Sequence, residues 1–159
     1  MLTIFTTPKD FDEEFDIIQR NALCSWRAVS NDLEIIILGS DDRENWYPYE
    51  FKWKPGNVKK KPEFIIPHQP RLDWQMWFAA LNNYEKNPWF ISFMVRLLEG
   101  SPAVIDLLKT NPFPKNPPKY IQAIAYDYSF SDSETRSRNG SWWNRKLLRP
   151  YTPIFELQD

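Results

Sequence analysis

The sequence predicts an α+β chain: a mainly antiparallel, β-sandwich-like domain with an inserted cluster of three helices and an N-terminal β-α-β appendage. Three observations carry this. Residues 46–54 and 120–130 alternate apolar and polar side chains with the period of a strand. Between them lie three helical patterns, separated by Asn87-Pro88 and by Gly100-Ser101-Pro102. Ahead of both, two short apolar runs flank an amphipathic stretch within the first 38 residues.

In chain order, residues 2–6 read as a short strand. A helix over 12–29 follows, with Phe11, Phe15, Ile18, Ala22 and Trp26 as one stripe. The β-branched run from Leu33 to Leu38, ended by Gly39, is a buried strand. In 46–54, Tyr49, Phe51 and Trp53 face one side and Glu50, Lys52 and Lys54 the other. That is a half-buried strand with a solvated face, stopped by Pro55-Gly56. Three prolines make 62–70 extended.

The first inserted helix covers 72–84 and gathers Trp74, Trp77, Phe78, Leu81 and Tyr84 on one face. The second has Asn87 as N-cap and Pro88 at its first position, is apolar nearly all round, and stops at Gly100. The third opens with Ser101 and Pro102, presents Val104, Leu107 and Leu108, and ends before Pro112. A proline-rich extended connector over 112–119 leads to the strand from Tyr120 to Phe130. There Ile124, Tyr126, Tyr128 and Phe130 share one face and Ile121, Ala123 and Ala125 the other, so both faces are partly covered. Residues 131–141, with Asn139-Gly140, form a loop or hairpin turn before a last strand from Trp142 to Leu147.

Composition narrows the function classes. A chain of 159 residues makes one ordinary domain, with room for a small appendage. The 20 Lys and Arg balance 21 Asp and Glu, which argues against nucleic acid or an anionic membrane as the main partner. Lys59, Lys60 and Lys61 are a local patch that reads as a solvated turn. The 26 Trp, Tyr and Phe side chains serve equally as core and as binding surface. Cys24, the single cysteine, permits no intrachain disulfide and reads as buried and inert. His68 has no second His or Cys at ligand spacing, so neither a metal nor a cofactor is expected. With no Gly-x-Ser-x-Gly elbow and no glycine-rich phosphate loop, the chain does not read as an enzyme. It contains no run of 18 apolar residues, and its N-terminus does not resemble a secretory signal.

A series of motifs adds to this reading. Pro67-His68-Gln69-Pro70-Arg71-Leu72-Asp73-Trp74-Gln75-Met76-Trp77-Phe78 is followed in order by Asn87-Pro88-Trp89-Phe90 and Gly100-Ser101-Pro102-Ala103-Val104. Then come Asn111-Pro112-Phe113-Pro114, Pro117-Pro118-Lys119-Tyr120-Ile121, Tyr126-Asp127-Tyr128 and Gly140-Ser141-Trp142-Trp143. Upstream, Tyr49-Glu50-Phe51-Lys52 and Lys54-Pro55-Gly56 belong to the same pattern. Over residues 34–155 the chain thus resembles the soluble C-terminal region of the lipase maturation factor family. The resemblance implies a non-enzymatic folding or maturation role toward secreted lipases. Members are multi-pass membrane proteins, in animals of the endoplasmic reticulum, with this region on the lumenal side; a bacterial equivalent would face the periplasm. Residues 1–40, with Thr3-Ile4-Phe5-Thr6-Thr7-Pro8-Lys9 and Ile17-Ile18-Gln19-Arg20-Asn21-Ala22-Leu23, resemble instead the start of a nucleotide-sugar glycosyltransferase domain. The expected division is therefore 1–40 and 41–159, with the join near 34–42. A carbohydrate-related protein is the alternative function.

The expected partner-binding residues are Arg71, Asp73, Trp74, Trp77, Trp142 and Trp143. Asp73 either caps the first inserted helix or meets a partner, and Arg71 either pairs within the chain or does the same. Adjacent strand residues point to opposite faces. One of Trp142 and Trp143 is therefore core, and the other faces solvent, a helix or a partner.

Overall fold

The computed structural model describes residues 32–62 and 70–157. The expected strand at 2–6, the helix over 12–29, Cys24 and His68 lie outside the described residues. The described elements are β1 (Asp32–Ser40), β2 (Tyr47–Phe51), α1 (Arg71–Ala80), a 3-10 turn (Tyr84–Lys86), α2 (Pro88–Leu98) and α3 (Pro102–Ile105). They continue with β3 (Leu108–Thr110), β4 (Tyr120–Phe130), α4 (Ser133–Asn139), β5 (Trp143–Pro150) and β6 (Phe155–Glu156).

The strands make one open six-stranded sheet in the order β3-β2-β1-β4-β5, with β6 also paired to β4. The α+β class and the antiparallel character are as expected. The layer packed on the sheet differs from a sandwich: among the described residues helices α1 and α2 supply it, not a second set of strands. β1, which spans the expected join, lies between β2 and β4. Its Ile35 and Ile37 enter the core under the helices, and Ile36 enters a smaller cluster on the opposite face. A continuous β-branched run suits such a strand because both of its faces are covered.

β4 keeps the predicted alternation. Ile121, Ala123 and Ala125 join the main core with Tyr49, Phe51, Met76, Phe90, Met94 and Leu97. Tyr126, Tyr128 and Phe130 join the second cluster with Ile36 and Trp143. The small alanines of β4 leave room for large helical side chains on that face. Gly39 has a similar reason: a Cβ there would meet the Phe113 ring at 2.5 Å. The ring of Phe113, 6.0 Å from that of Tyr49, needs the space.

Four expectations are corrected. The second strand ends at Phe51, and Lys54 is not on a solvated face. Its ammonium sits 2.7 Å from the Glu34 carboxylate and donates to the Ile35 carbonyl. Burying a lysine requires such a partner and acceptor. The third helix is a single turn, because Leu108 leaves it to pair with Phe51 as part of β3. Residues 131–141 are not a plain loop: Asp132 accepts the Thr135 backbone N–H at 2.6 Å and caps α4. Gly140, at φ 74°, ends that helix in the left-handed conformation. The first inserted helix stops at Ala80, and Tyr84 occupies the separate 3-10 turn.

Candidate partner-binding surfaces

α1 turns the predicted stripe around. Its buried residues are Asp73, Met76, Ala79 and Ala80. Trp74 and Trp77 are half-buried, while Phe78 and Leu81 are 45% and 48% exposed. The three rings pack on one another along the helix. Trp74 and Trp77 are 5.5 Å apart, Trp74 and Phe78 5.3 Å, and Trp77 and Phe78 4.9 Å, the last two edge to face. Spacings of three and four set Trp77 and Phe78 each beside Trp74, and the two neighbours meet edge to face around it. The contact side of α1 is built from Met76 and the small Ala79 and Ala80 instead. Tyr151, buried beneath it, donates its hydroxyl to the Ala79 carbonyl at 2.7 Å. Burial raises the Tyr151 pKa, so the hydroxyl stays a donor.

Arg71 is exposed at the start of α1. Asp73 is internal: its Oδ1 accepts the backbone N–H groups of Trp53 and Lys54 at 2.9 and 2.8 Å. It therefore ties the first turn of α1 to the segment leaving β2. No side chain caps α1 at Pro70, so the alternative of Asp73 as the N-cap is not realised.

Trp143 and Trp142 divide as adjacent strand residues do. Trp143 is buried, stacked on Phe130 at 4.4 Å, with its indole N–H donating to the Lys60 carbonyl at 2.8 Å. Trp142 is half-buried under two cations, the Arg136 guanidinium at 4.3 Å and the Lys61 ammonium at 5.5 Å. Of the lysine run, Lys59 and Lys61 are exposed, as a solvated turn requires, and Lys60 is built in. Lys60 donates to the carbonyls of Phe51, Lys52 and Lys54 and holds that turn. Nearby, the Tyr128 hydroxyl donates to the Gly56 carbonyl at 2.6 Å, and burial pushes its pKa up to about 12.

The six expected residues thus fall in three places. Trp74 and Trp77 share an outward aromatic face, with Arg71 at the foot of the same helix. Asp73 and Trp143 are interior braces. Trp142 lies elsewhere, against α4 and the 57–61 turn. Phe78 and Leu81 were in the predicted stripe but are missing from the expected site; their exposure is what adds them. Sequence reasoning also passed over β5, where Leu147 and Leu148 are 58% and 44% exposed between Arg145, Lys146 and Arg149. The adjacent Leu-Leu pair in a basic strand was the available signal.

Behind β2 lies a half-open hollow of roughly 270 Å³ whose wall includes Ile36, Glu50, Val58 and Arg145. Among the described residues no three His, Cys, Asp or Glu side chains are grouped to hold a metal. Nor is any described helix long and apolar enough to cross a membrane.

Comparison with known proteins places the chain. The lipase maturation factor C-terminal domain matches residues 21–153. Lipase maturation factor 2 of Xenopus laevis is 46% identical over 131 residues, 79% of this chain and 18% of that protein. Lipase maturation factor 2 of Gallus gallus is 43% identical over 153 residues, 92% of this chain and 21% of that protein. Lipase maturation factor 1 of Bos taurus is 42% identical over 116 residues, 72% of this chain and 21% of that protein. The chain thus spans about a fifth of the length of these relatives. No solved structure matches it. Neither the family match, which begins inside the first 40 residues, nor these relatives support the glycosyltransferase alternative. With the match running through β1, the helices and the strand pair β4-β5, this chain belongs to the lipase maturation factor family.

Proposed function

We propose that this chain is a client-binding domain for the maturation of secreted lipases, acting without covalent chemistry on the lumenal side of the endoplasmic reticulum membrane. The supporting observation is the outward face of α1. Trp74, Trp77 and Phe78 form a packed aromatic cluster beside Leu81, while Met76, Ala79 and Ala80 point into the core. Such a face covers apolar surface on a partly folded client and slows its aggregation. Aromatic side chains supply contact area at low entropic cost, and Arg71 adds a charged rim.

The test is affinity capture from a lipase-secreting extract, with lipase identified and its activity assayed after release. Phe78→Ala combined with Leu81→Ala is expected to reduce capture, while Trp142→Ala, altered on a different surface, retains it. Equal lipase recovery with the α1 double variant would remove α1 from the reading. Absence of lipase with folded parent chain would remove the client role itself.

A further inference from the structure

The sheet has two edges of unequal kind. β3, at one end, has three residues; β5, at the other, has eight. Every residue from Asn144 to Pro150 is exposed. One side of β5 is bonded to β4, and among the described residues no strand lies on its other side. Alternate backbone N–H and C=O groups of such a strand point outward and take up whatever extended chain complements them.

The side chains along β5 select that chain. Arg145, Lys146 and Arg149 stand on it with no acidic residue. The facing carboxylate is Asp127 on β4, in register with Lys146. Arg145 leans over the Tyr126 ring at 4.9 Å, still exposed. Basic residues on an edge prevent a second copy of the same strand from pairing, because like charges would lie opposite each other. The same residues attract an extended segment that carries Asp or Glu. Leu147 offers that segment apolar contact. The register shift beside Ala125 and Tyr126, and Pro150 after it, limit the usable stretch to the first part of the strand.

We propose that β5, from Asn144 to Leu147, docks an extended acidic segment of a partner protein, which adds to the sheet as a further antiparallel or parallel strand. This surface is separate from α1 and does not depend on the partner being a lipase.

The test uses the full chain and fluorescent peptides of the same eight-residue length as β5, alternating Glu with Val. Binding is read by anisotropy and localised by hydrogen–deuterium exchange. The acidic peptide is expected to bind and to slow exchange in β5, and a peptide with Lys in place of Glu is expected not to bind. Arg145→Glu with Lys146→Glu, both at exposed sites, should weaken binding by about tenfold or more, with thermal melting confirming the fold. Methylating alternate peptide nitrogens should weaken it comparably, because it removes the backbone donors a strand needs. Undiminished binding of the methylated peptide would overturn strand addition, leaving a simple cationic patch. Phosphatidylserine vesicles that bind the chain and displace the peptide would overturn it in favour of an anionic surface.

Discussion

α2 carries Trp89, Phe90, Phe93, Met94, Leu97 and Leu98, and five of these six are buried. α1 carries Trp74, Met76, Trp77 and Phe78, and of these only Met76 is buried, alongside Asp73, Ala79 and Ala80. Both helices lie over the same sheet core. Their difference is in which side chains make the contact. α2 fills volume above the small Ala123 and Ala125 of β4, whereas α1 presents small residues of its own to Tyr151. Fully burying a large apolar side chain is worth about 1.5–3 kcal/mol, part of which Phe78 and Leu81 forgo. Apolar content therefore does not decide burial; local fit does, and the residues excluded by fit become available to a partner.

The sharpest break of this comparison is Phe90→Ala. Phe90 is fully buried and meets the Tyr151 ring edge-on at 5.4 Å. Truncating it should cost about 3–5 kcal/mol by denaturant titration, because the cavity collapses only partly. A loss below about 1 kcal/mol would mean that α2 is not the core helix. Next is Asp73→Ala, which removes the one polar group on the inner side of α1. The N–H groups of Trp53 and Lys54 would lose their carboxylate acceptor. A loss of about 2–3 kcal/mol is expected by the same titration, with faster amide exchange at these two residues. Unchanged exchange there would place Asp73 outside the brace.

How much of this was legible follows from the kind of rule each element obeys. β4 was readable, Ile124 apart, because its two faces demand different side chains at a period of two. The borders of α2 were readable from Pro88 and Gly100, since proline fixes φ at the first helical turn and glycine tolerates the positive φ, here 66°, that follows the helix end. The inner side of α1 was not, because a stripe of large aromatics and a stripe of Met and Ala have the same helical period. Only the opposing surface decides between them. Lys54 misled for a similar reason: its alternation is right for a strand, but Glu34 and the Ile35 carbonyl draw it inward, and both are remote in sequence. Asp132 and Gly140 were legible as caps in principle, yet α4 is polar throughout and offers no apolar period to join them. Among the expected binding residues, Trp74 and Trp77 share one face, while Trp143 was drawn inside by Phe130 and the Lys60 carbonyl.

Ala79→Leu sharpens the comparison from the contact side. Ala79 is fully buried and its carbonyl accepts the Tyr151 hydroxyl. Extra methylenes there should lower stability by about 1–3 kcal/mol through overpacking, read as a lower denaturant midpoint. A neutral or stabilising result would show that α1 sits loosely and that its small residues are not the contact. The smallest effect on stability is expected from Phe78→Ala with Leu81→Ala, within about 0.5 kcal/mol for each exposed position. The same pair should give the largest loss of client capture. That separation is the decisive feature: a residue kept for packing loses stability and binding together, whereas a residue kept for a partner loses binding alone. If the double variant melts several degrees lower than the parent, α1 uses its outer face for packing after all, and its likeness to α2 is greater than its exposure indicates.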